Sequence, residues 1–597
     1  MDRKSIIAMV LIAIIIVTVP YYQKLIVGDQ PVDEKKEIYQ TQKQDSVTSV
    51  PVAQDEKIAE RETPPVETKK EPGAISYTDL TIDQDSAEKK IEINTDKIRV
   101  ILSNRGGGSL EKFVLKKYAK FDTTLVNMID NEIHNDLYLS FQSLNGSYID
   151  VKDLIFFSSS EITKKDLREG ESFKITYSLK INNSELTKTY IFYDDVYHFD
   201  VKINFINPDE LLLNRQYEFG WKNGLPSTES YESDDYSYNQ VYAYMAEDLE
   251  SYDVTEAGEK ERVTLTGTAD WLAIRTKYFV TSVSNINADV SNGIYFSGIG
   301  IQKEDFVQRL YNTGFFIQYK NETGGDSMRV YMGPLDDHEL SKYDNNLEIM
   351  IMNNGWYERM FRWISLLILP ILTFLYSFIP NYGIVIIIFS ILVKFALHPL
   401  TKKSYQSMKE MQKIQPIMAE LKEKYKSDPQ RMNKETMKLY KEHGVNPLGG
   451  CLPTLLQMPL LIALFIVFRS TIQLRGAMFI PGWIEDLSRT DTLFHLPFSL
   501  PMYGNEFNLL PILMAVTMIF QSKMTMTDPK QKAMVYIMPV FMLLIFNRFP
   551  AGLNLYYTMF NLLTIIQQKF ISKGTSPAKA PVKVSVKEKK ANKSKRR

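Results

Sequence analysis

The chain has a single cysteine, Cys451, which excludes any disulfide within it. It has six histidines, His134, His198, His338, His398, His443 and His495. None stands in an HExxH or Cys/His zinc spacing, so no metal or other cofactor is expected. Charge of one sign is also lacking: 70 Lys and Arg face 71 Asp and Glu. That balance gives no overall basic character, and no sequence-specific nucleic-acid partner is expected. Arg105-Gly-Gly-Gly108 lacks the GK[ST] ending of a phosphate loop and reads as a hairpin turn. The apolar run Ile6–Val19 is followed by Pro20, Tyr21, Tyr22 and Gln23, with neither a small-x-small cleavage site nor a lipobox cysteine. Residues 1–23 are therefore read as an uncleaved signal-anchor span with a cytoplasmic N-terminus, the alternative being a cleavable signal peptide.

What is present divides into regions. At 597 residues the chain is too long for one core. Residues 24–75 are rich in Glu, Lys, Gln, Thr and Pro (DEKKEIYQTQKQDS, RETPPVETKKEPG) and lack a sustained period, so a disordered tether is expected. Residues 76–345 read as strands. Tyr197, Phe199, Val201, Ile203 and Phe205 alternate with His198, Asp200, Lys202 and Asn204. TKTYIFY precedes them across an Asp194-Asp195 turn. KIRVILS, LEKFVLKKY, FKITYSLKI and GIYFSGIGI are further strands, and the region is expected to be an all-β, mostly antiparallel sandwich.

After Asn354 apolar segments and methionine dominate. Trp356–Phe378, broken by Pro370, reads as an interfacial helix leading into the membrane. Five spans follow near Tyr382–Leu397, Leu448–Phe468, Leu509–Lys523, Ala533–Asn547 and Leu553–Phe570. Several are short, which favours a thin or distorted bilayer. Residues 401–447 hold eleven Lys/Arg against six acids, and the tail from 572 holds ten against one. The positive-inside rule makes both cytoplasmic, so the β domain lies on the other side. Within 401–447, Met408, Met411, Gln415, Met418 and Leu421 recur at helical spacing, SDPQ turns, and Met432, Thr436, Leu439 and Tyr440 mark a second helix. A cytoplasmic helical hairpin is expected, against the bland reading of a solvated spacer.

The spans carry polar faces. Lys394 stands in GIVIIIFSILVKFALHPLTKKS with Ser390 four residues earlier on the same face. Snorkelling to the interface would account for Lys394 alone. Asn554, Tyr557, Asn561, Thr564 and Gln568 form a stripe along the last span. Cys451, Thr454 and Gln457 repeat at three, and Thr517 and Gln521 at four. Polar groups in hydrocarbon cost several kcal/mol each without partners, so these faces must meet each other or water. Interhelical hydrogen bonds are one reading and a hydrated interior cavity the other. Met534, Met538 and Met542 form an apolar stripe at i, i+4, i+8, suited to core packing or to an adaptable binding face.

HPLTKKSYQSMKEMQKIQP, KLYKEHGVNPLGGCLPTLLQMPLLIALF, TDPKQKAMVYIMPVF and FPAGLNLYYTMFNLLTIIQQ resemble the blocks of the YidC-type membrane protein insertases, in that family's order and spacing. SNRGGGSLEKFVLKKY and DWLAIRTKYF extend the resemblance over the β region. It implies a non-enzymatic insertase core over 346–571, a periplasmic β domain over 76–345, a basic cytoplasmic tail over 572–597 and residence in the bacterial inner membrane. A hydrophilic groove would be open to cytoplasm and lipid, with Lys394 where the family usually has arginine and Ser390 where it usually has threonine. Tyr557 matches the family's aromatic position, and Gln457, Thr517, Gln521, Asn554 and Asn561 would touch the client. Met534, Met538 and Met542 would line its apolar slide. The implied partners are nascent membrane proteins, the Sec translocon, the lipid bilayer, and ribosomes and targeting factors at the hairpin and tail.

Two other classes compete. The first is a polytopic secondary transporter or channel with a polar intramembrane site; a transporter predicts duplicated halves with paired broken helices, and five core spans show no such repeat. Ser390 and Lys394 could mimic a Ser–Lys hydrolase dyad, but both stand on one helix and no oxyanion motif accompanies them.

Overall fold

The computed structural model describes residues 80–573 apart from 121, 255, 259, 287–290, 305, 321–323, 445–451, 501–502 and 526–531. The expected anchor, tether and basic tail beyond Lys573, and Cys451, lie outside the described residues.

The segment Tyr197–Phe205 shows how the sequence builds the first region. Tyr197, Phe199, Val201, Ile203 and Phe205 are all buried, while the alternating residues are half-buried beside two neighbouring strands. His198–Ile206 pairs antiparallel with Ser184–Tyr193 on one side and Asp326–Pro334 on the other. Asp195 between the first two is left-handed, at φ 52°. These strands belong to a ten-stranded sheet. Phe205 meets Phe141 and Tyr217 of a six-stranded sheet, with ring centroids 6.0 and 5.3 Å apart. Phe199 meets Phe113 of a five-stranded sheet at 6.1 Å. The inward face of one sheet thus supplies rings to both others. The Arg105–Gly108 turn joins Ile98–Ser103 to Ser109–Ala119. Gly108 has φ +103°, and an added Cβ would lie 2.3 Å from Tyr190, so the site requires glycine.

Nine helices are described: α1 (Glu232–Tyr236), α2 (Asp337–Leu340), α3 (Gly355–Phe378), α4 (Tyr382–Lys424), α5 (Pro429–Glu442), α6 (Leu452–Ser470), α7 (Leu509–Thr525), α8 (Lys532–Phe546) and α9 (Ala551–Lys573). One sequence expectation is corrected: the helix α3 is not broken at Pro370. The span expected near Tyr382–Leu397 agrees with the apolar stretch Tyr382–Pro399, and α4 continues beyond it through Pro399 and Pro416. A proline removes one helical donor and crowds one carbonyl, and a helix otherwise well packed absorbs that loss. Near Pro399 the Thr401 hydroxyl donates to the carbonyls of Leu397 and His398, at 2.9 and 3.2 Å. By length and composition, Gly355–Phe378 and Tyr382–Pro399 suffice to cross a membrane, while Gln457–Ser470, Leu509–Met524 and Val535–Phe546 are shorter apolar helices.

The end of α4 and α5 form a separate hairpin with its own small core of Ile414, Met418 and Leu439, flanked by Met411, Ile417 and Tyr440. Asp428 caps α5 by accepting from the Arg431 amide at 3.0 Å.

Sheets and helices are joined by charge. Asp234 of α1 accepts from Lys277 Nζ at 2.7 Å and from the Arg469 guanidinium at the end of α6. Glu229 pairs with Arg475 at 2.7 Å and Arg489 at 3.4 Å. The Tyr278 hydroxyl donates to the Arg469 carbonyl at 3.1 Å. Burial pushes the Asp234 carboxyl up, but Lys277 and Arg469 outweigh it and hold it at about 2. Further along, buried Arg275 donates to the Met350 carbonyl at 2.6 Å, strapping down the segment that leads into α3.

Candidate functional site

Helix α9 begins on a prepared platform. Its first amides would be orphan donors. Ala551 and Gly552 instead donate to the carbonyls of Arg489 and Leu487, at 2.5 and 2.9 Å. From there α9 packs against α7 on one side and α4 on the other. That packing turns its polar stripe toward both neighbours.

Lys394 of α4 is only 8% exposed. Its ammonium donates to Thr564 Oγ1 at 2.6 Å and sits over the Phe560 ring, 4.4 Å from its centroid. The Thr564 hydroxyl gives its own hydrogen to the Phe560 carbonyl at 2.7 Å, which leaves its lone pairs to face the cation. A ring face and a hydroxyl oxygen both favour positive charge. Ser390 lies one turn earlier and is fully buried, with its hydroxyl bonded back to the Ile386 carbonyl at 2.7 Å.

On the other side, Asn561 Nδ2 donates to Thr517 Oγ1 at 3.3 Å, and Thr517 donates to the Met514 carbonyl at 2.8 Å. Nearer the end of α9, Gln567 Nε2 and His398 Nδ1 are 2.6 Å apart. The structure therefore brings together Lys394, Thr564, Asn561 and Thr517 from three helices. Gln457 of α6 and Gln521 of α7 are half-buried.

Asn554 stands apart, ten residues or about 15 Å along α9 from Thr564. Its amide donates to the carbonyls of Phe546 and Phe549, at 3.1 and 3.2 Å, tying the α8–α9 turn. Tyr557 packs edge-on against Phe546 with centroids 5.5 Å apart. Its neighbour Tyr556 is the fully buried ring, and it is Tyr556 that meets Phe389 of α4, at 6.3 Å. Of the methionine stripe, Met538 is exposed and Met542 half-buried against the core, while the side chain of Met534 lies outside those described.

Phe560, His398 and Gln567 were not singled out from the sequence. Phe560 could have been found, since it precedes Thr564 by one helical turn and so shares its face. The His398–Gln567 contact had no local signal, because its members are 169 residues apart.

Comparison with known proteins gives the same assignment for both regions. Residues 374–579 match the profile of the 60Kd inner membrane protein, and residues 90–367 that of the YidC periplasmic domain. The membrane protein insertase YidC of Prosthecochloris aestuarii is 36% identical over 594 residues, covering 98% of this chain and 97% of that protein. The membrane protein insertase YidC of Chlorobium luteolum is 34% identical, covering 97% of each. Among solved structures, an active YidC insertase with its first transmembrane domain resolved is 19% identical, covers 81% of this chain and 93% of its own, and has a TM-score of 0.34. A β-sheet-rich periplasmic domain, a helical C-terminal core and nascent membrane proteins as clients follow from this kinship. The chain is a member of the YidC family of membrane protein insertases of the bacterial inner membrane.

Proposed function

We propose that the shared polar face of α4, α7 and α9 is the wall of a hydrophilic groove that receives the polar segment of a client, with Lys394 as its fixed positive charge. The observation that carries this reading is an ammonium held inside the helices by Thr564 and Phe560 rather than led out to the interface. Such a site shortens the low-dielectric path for an acidic segment and so lowers its crossing cost. Gln457, Thr517, Gln521, Tyr557 and Asn561 contact the client in this scheme, and Met534, Met538 and Met542 guide its apolar helix into lipid. Ser390 and Asn554, expected from the sequence to touch the client, are fully buried and bonded to the protein's own carbonyls, so they hold the helices instead. No bond is made or broken. Partitioning of the client helix into lipid drives insertion, helped by the membrane potential acting on acidic segments.

The same proposal sets the architecture. An anchor span at 1–23 and a tether at 24–75 precede a β-sandwich over 76–345. The core over 346–571 crosses five times, and both termini and the hairpin 401–447 lie in the cytoplasm. Layered rings between sheets support the sandwich, and the lysine- and arginine-rich loops support the orientation. The hairpin and the tail at 572–597 engage ribosomes and targeting factors, and the protein works alone or with the Sec translocon.

A photocrosslinking amino acid at position 517, and separately at 538, tests the scheme with a stalled client. Position 517 is expected to capture the client's hydrophilic segment and 538 its apolar helix. An exposed control on α9, Ile566, is expected to capture neither preferentially. Capture of the apolar helix at 517 would overturn the groove assignment.

A further inference from the structure

The loop between α6 and α7 contains a two-stranded ribbon, Thr492–Leu500 paired antiparallel with Gly504–Asn508. No third strand joins it among the described residues. A lone two-stranded hairpin is at best marginal in water and needs a surface to pack on.

Phe494, Phe498 and Leu500 of the first strand are exposed and Leu496 half-buried, with the register shifting after His495, and Phe507 stacks on Phe494 with centroids 4.6 Å apart. Phe494 is 52% exposed and Phe498 58%. Glu506 opposes His495 in the pairing. Its carboxylate accepts from Tyr231 of the β domain and, at 3.1 and 3.3 Å, from the hydroxyls of Thr490 and Thr492. Glu506 is thus held by the protein, while Leu493, Phe494, Phe498 and Leu500 are left exposed. Between Thr492 and Asn505 the sequence holds no Lys, Arg, Asp or Glu.

The base of the ribbon is bonded to the ends of the apolar helices. Asn508 Nδ2 donates to the Asn547 carbonyl at 2.5 Å. Asn547 Nδ2 donates to the carbonyls of Tyr503 and Glu506, at 2.9 and 3.1 Å. Asn547 directly follows α8, and α7 starts at Leu509, the residue after the ribbon. Leu513, Val516 and Phe520 of α7 are exposed, as suits contact with lipid. The ribbon's base is therefore fixed beside the start of an apolar helix that the proposed topology places in the bilayer.

We infer that the face bearing Phe494, Phe498 and Leu500 is seated in the interfacial layer of the outer leaflet, so that the ribbon is a lipid-binding anchor at the non-cytoplasmic ends of α7, α8 and α9. This rests on the membrane orientation proposed above. Aromatic rings on an uncharged strand suit that layer, where ring bodies meet acyl chains and the backbone stays near water.

The test uses the full chain in vesicles of phosphatidylethanolamine and phosphatidylglycerol. A polarity-sensitive fluorescent amino acid is placed at 498 and, opposite the engaged Glu506, at 495. Nitroxide-labelled lipids are expected to quench position 498 several-fold more strongly than 495, and iodide in the water the reverse. Equal iodide quenching at both positions, with no lipid quenching at 498, would overturn the proposal. So would shielding of 498 found in native membranes and lost in pure lipid vesicles, which would give the face to a protein partner. Orientation is checked separately, by protease access to the 401–447 hairpin. A ribbon quenched by lipid in a chain of reversed orientation would sink the topology and keep the anchor.

Discussion

Of the described residues, the most exposed phenylalanines stand in this protein's helical half, among them Phe374, Phe378 and Phe395. In the β region Phe199 is 0% exposed, enclosed by rings from neighbouring strands and sheets. In the helical region Phe395 is 73% exposed, one residue from the buried Lys394. A water-soluble domain puts its rings in and its ammonium groups out, because transfer from water drives burial. The helical region leaves rings such as Phe395 outside a buried core of its own, and hydrocarbon in place of water makes that exposure favourable. The contrast teaches that exposure carries no fixed meaning until the solvent of each region is known.

The comparison breaks most readily in the β region. Trp271 is fully buried, stacked on Tyr244, with its indole N–H donated to the Asn345 carbonyl at 2.7 Å. Trp271→Ala is expected to cost about 3–5 kcal/mol, read as a lower unfolding midpoint of the full chain in detergent. Asp234→Ala leaves Lys277 buried without its carboxylate and frees Arg469, so a loss of about 3 kcal/mol is expected in the same measurement. The pH dependence of that junction follows from its depressed carboxyl. Its folded value of about 2 lies below the ordinary 3.8. Its contribution is complete above about pH 4 and is lost as the pH falls from there toward 2. A junction unchanged between pH 5 and pH 2, followed by fluorescence transfer between the two regions, would contradict this.

Smaller effects sharpen the helical side. Phe395→Ala removes a ring that protein does not enclose, and less than about 1 kcal/mol is expected, against the larger loss at Trp271. A loss equal to that of Trp271→Ala would mean that Phe395 packs on protein rather than lipid. Thr517→Val deletes the acceptor of the Asn561 amide and should cost about 0.6 kcal/mol in the membrane, measured as a shift in thermal midpoint.

Much of the fold could be read from the chain. Period two in Tyr197–Phe205 gave the inward face of a central strand, and the helical spacing of Met411, Met418 and Leu439 gave the core of the hairpin. The break expected at Pro370 was misjudged, because the local penalty of that proline is overridden by packing. The junction was invisible, since Asp234 and Arg469 are 235 residues apart and pair only through the fold. Within the candidate site the stripe on α9 was visible as a period. Which of Tyr556 and Tyr557 meets α4 was not, because consecutive helical residues point about 100° apart and either fits the pattern.

The account turns on the charge of Lys394. Its most direct measurement is insertion of a small client with an acidic N-terminal segment, after depletion of the protein and complementation with Lys394→Arg, Lys394→Ala or Lys394→Glu. The account predicts that arginine sustains insertion, alanine weakens it and glutamate abolishes it, with all three variants present at normal levels in the membrane. Normal insertion with alanine and glutamate would contradict it, and would reduce Lys394 to a residue that merely packs against Thr564 and Phe560.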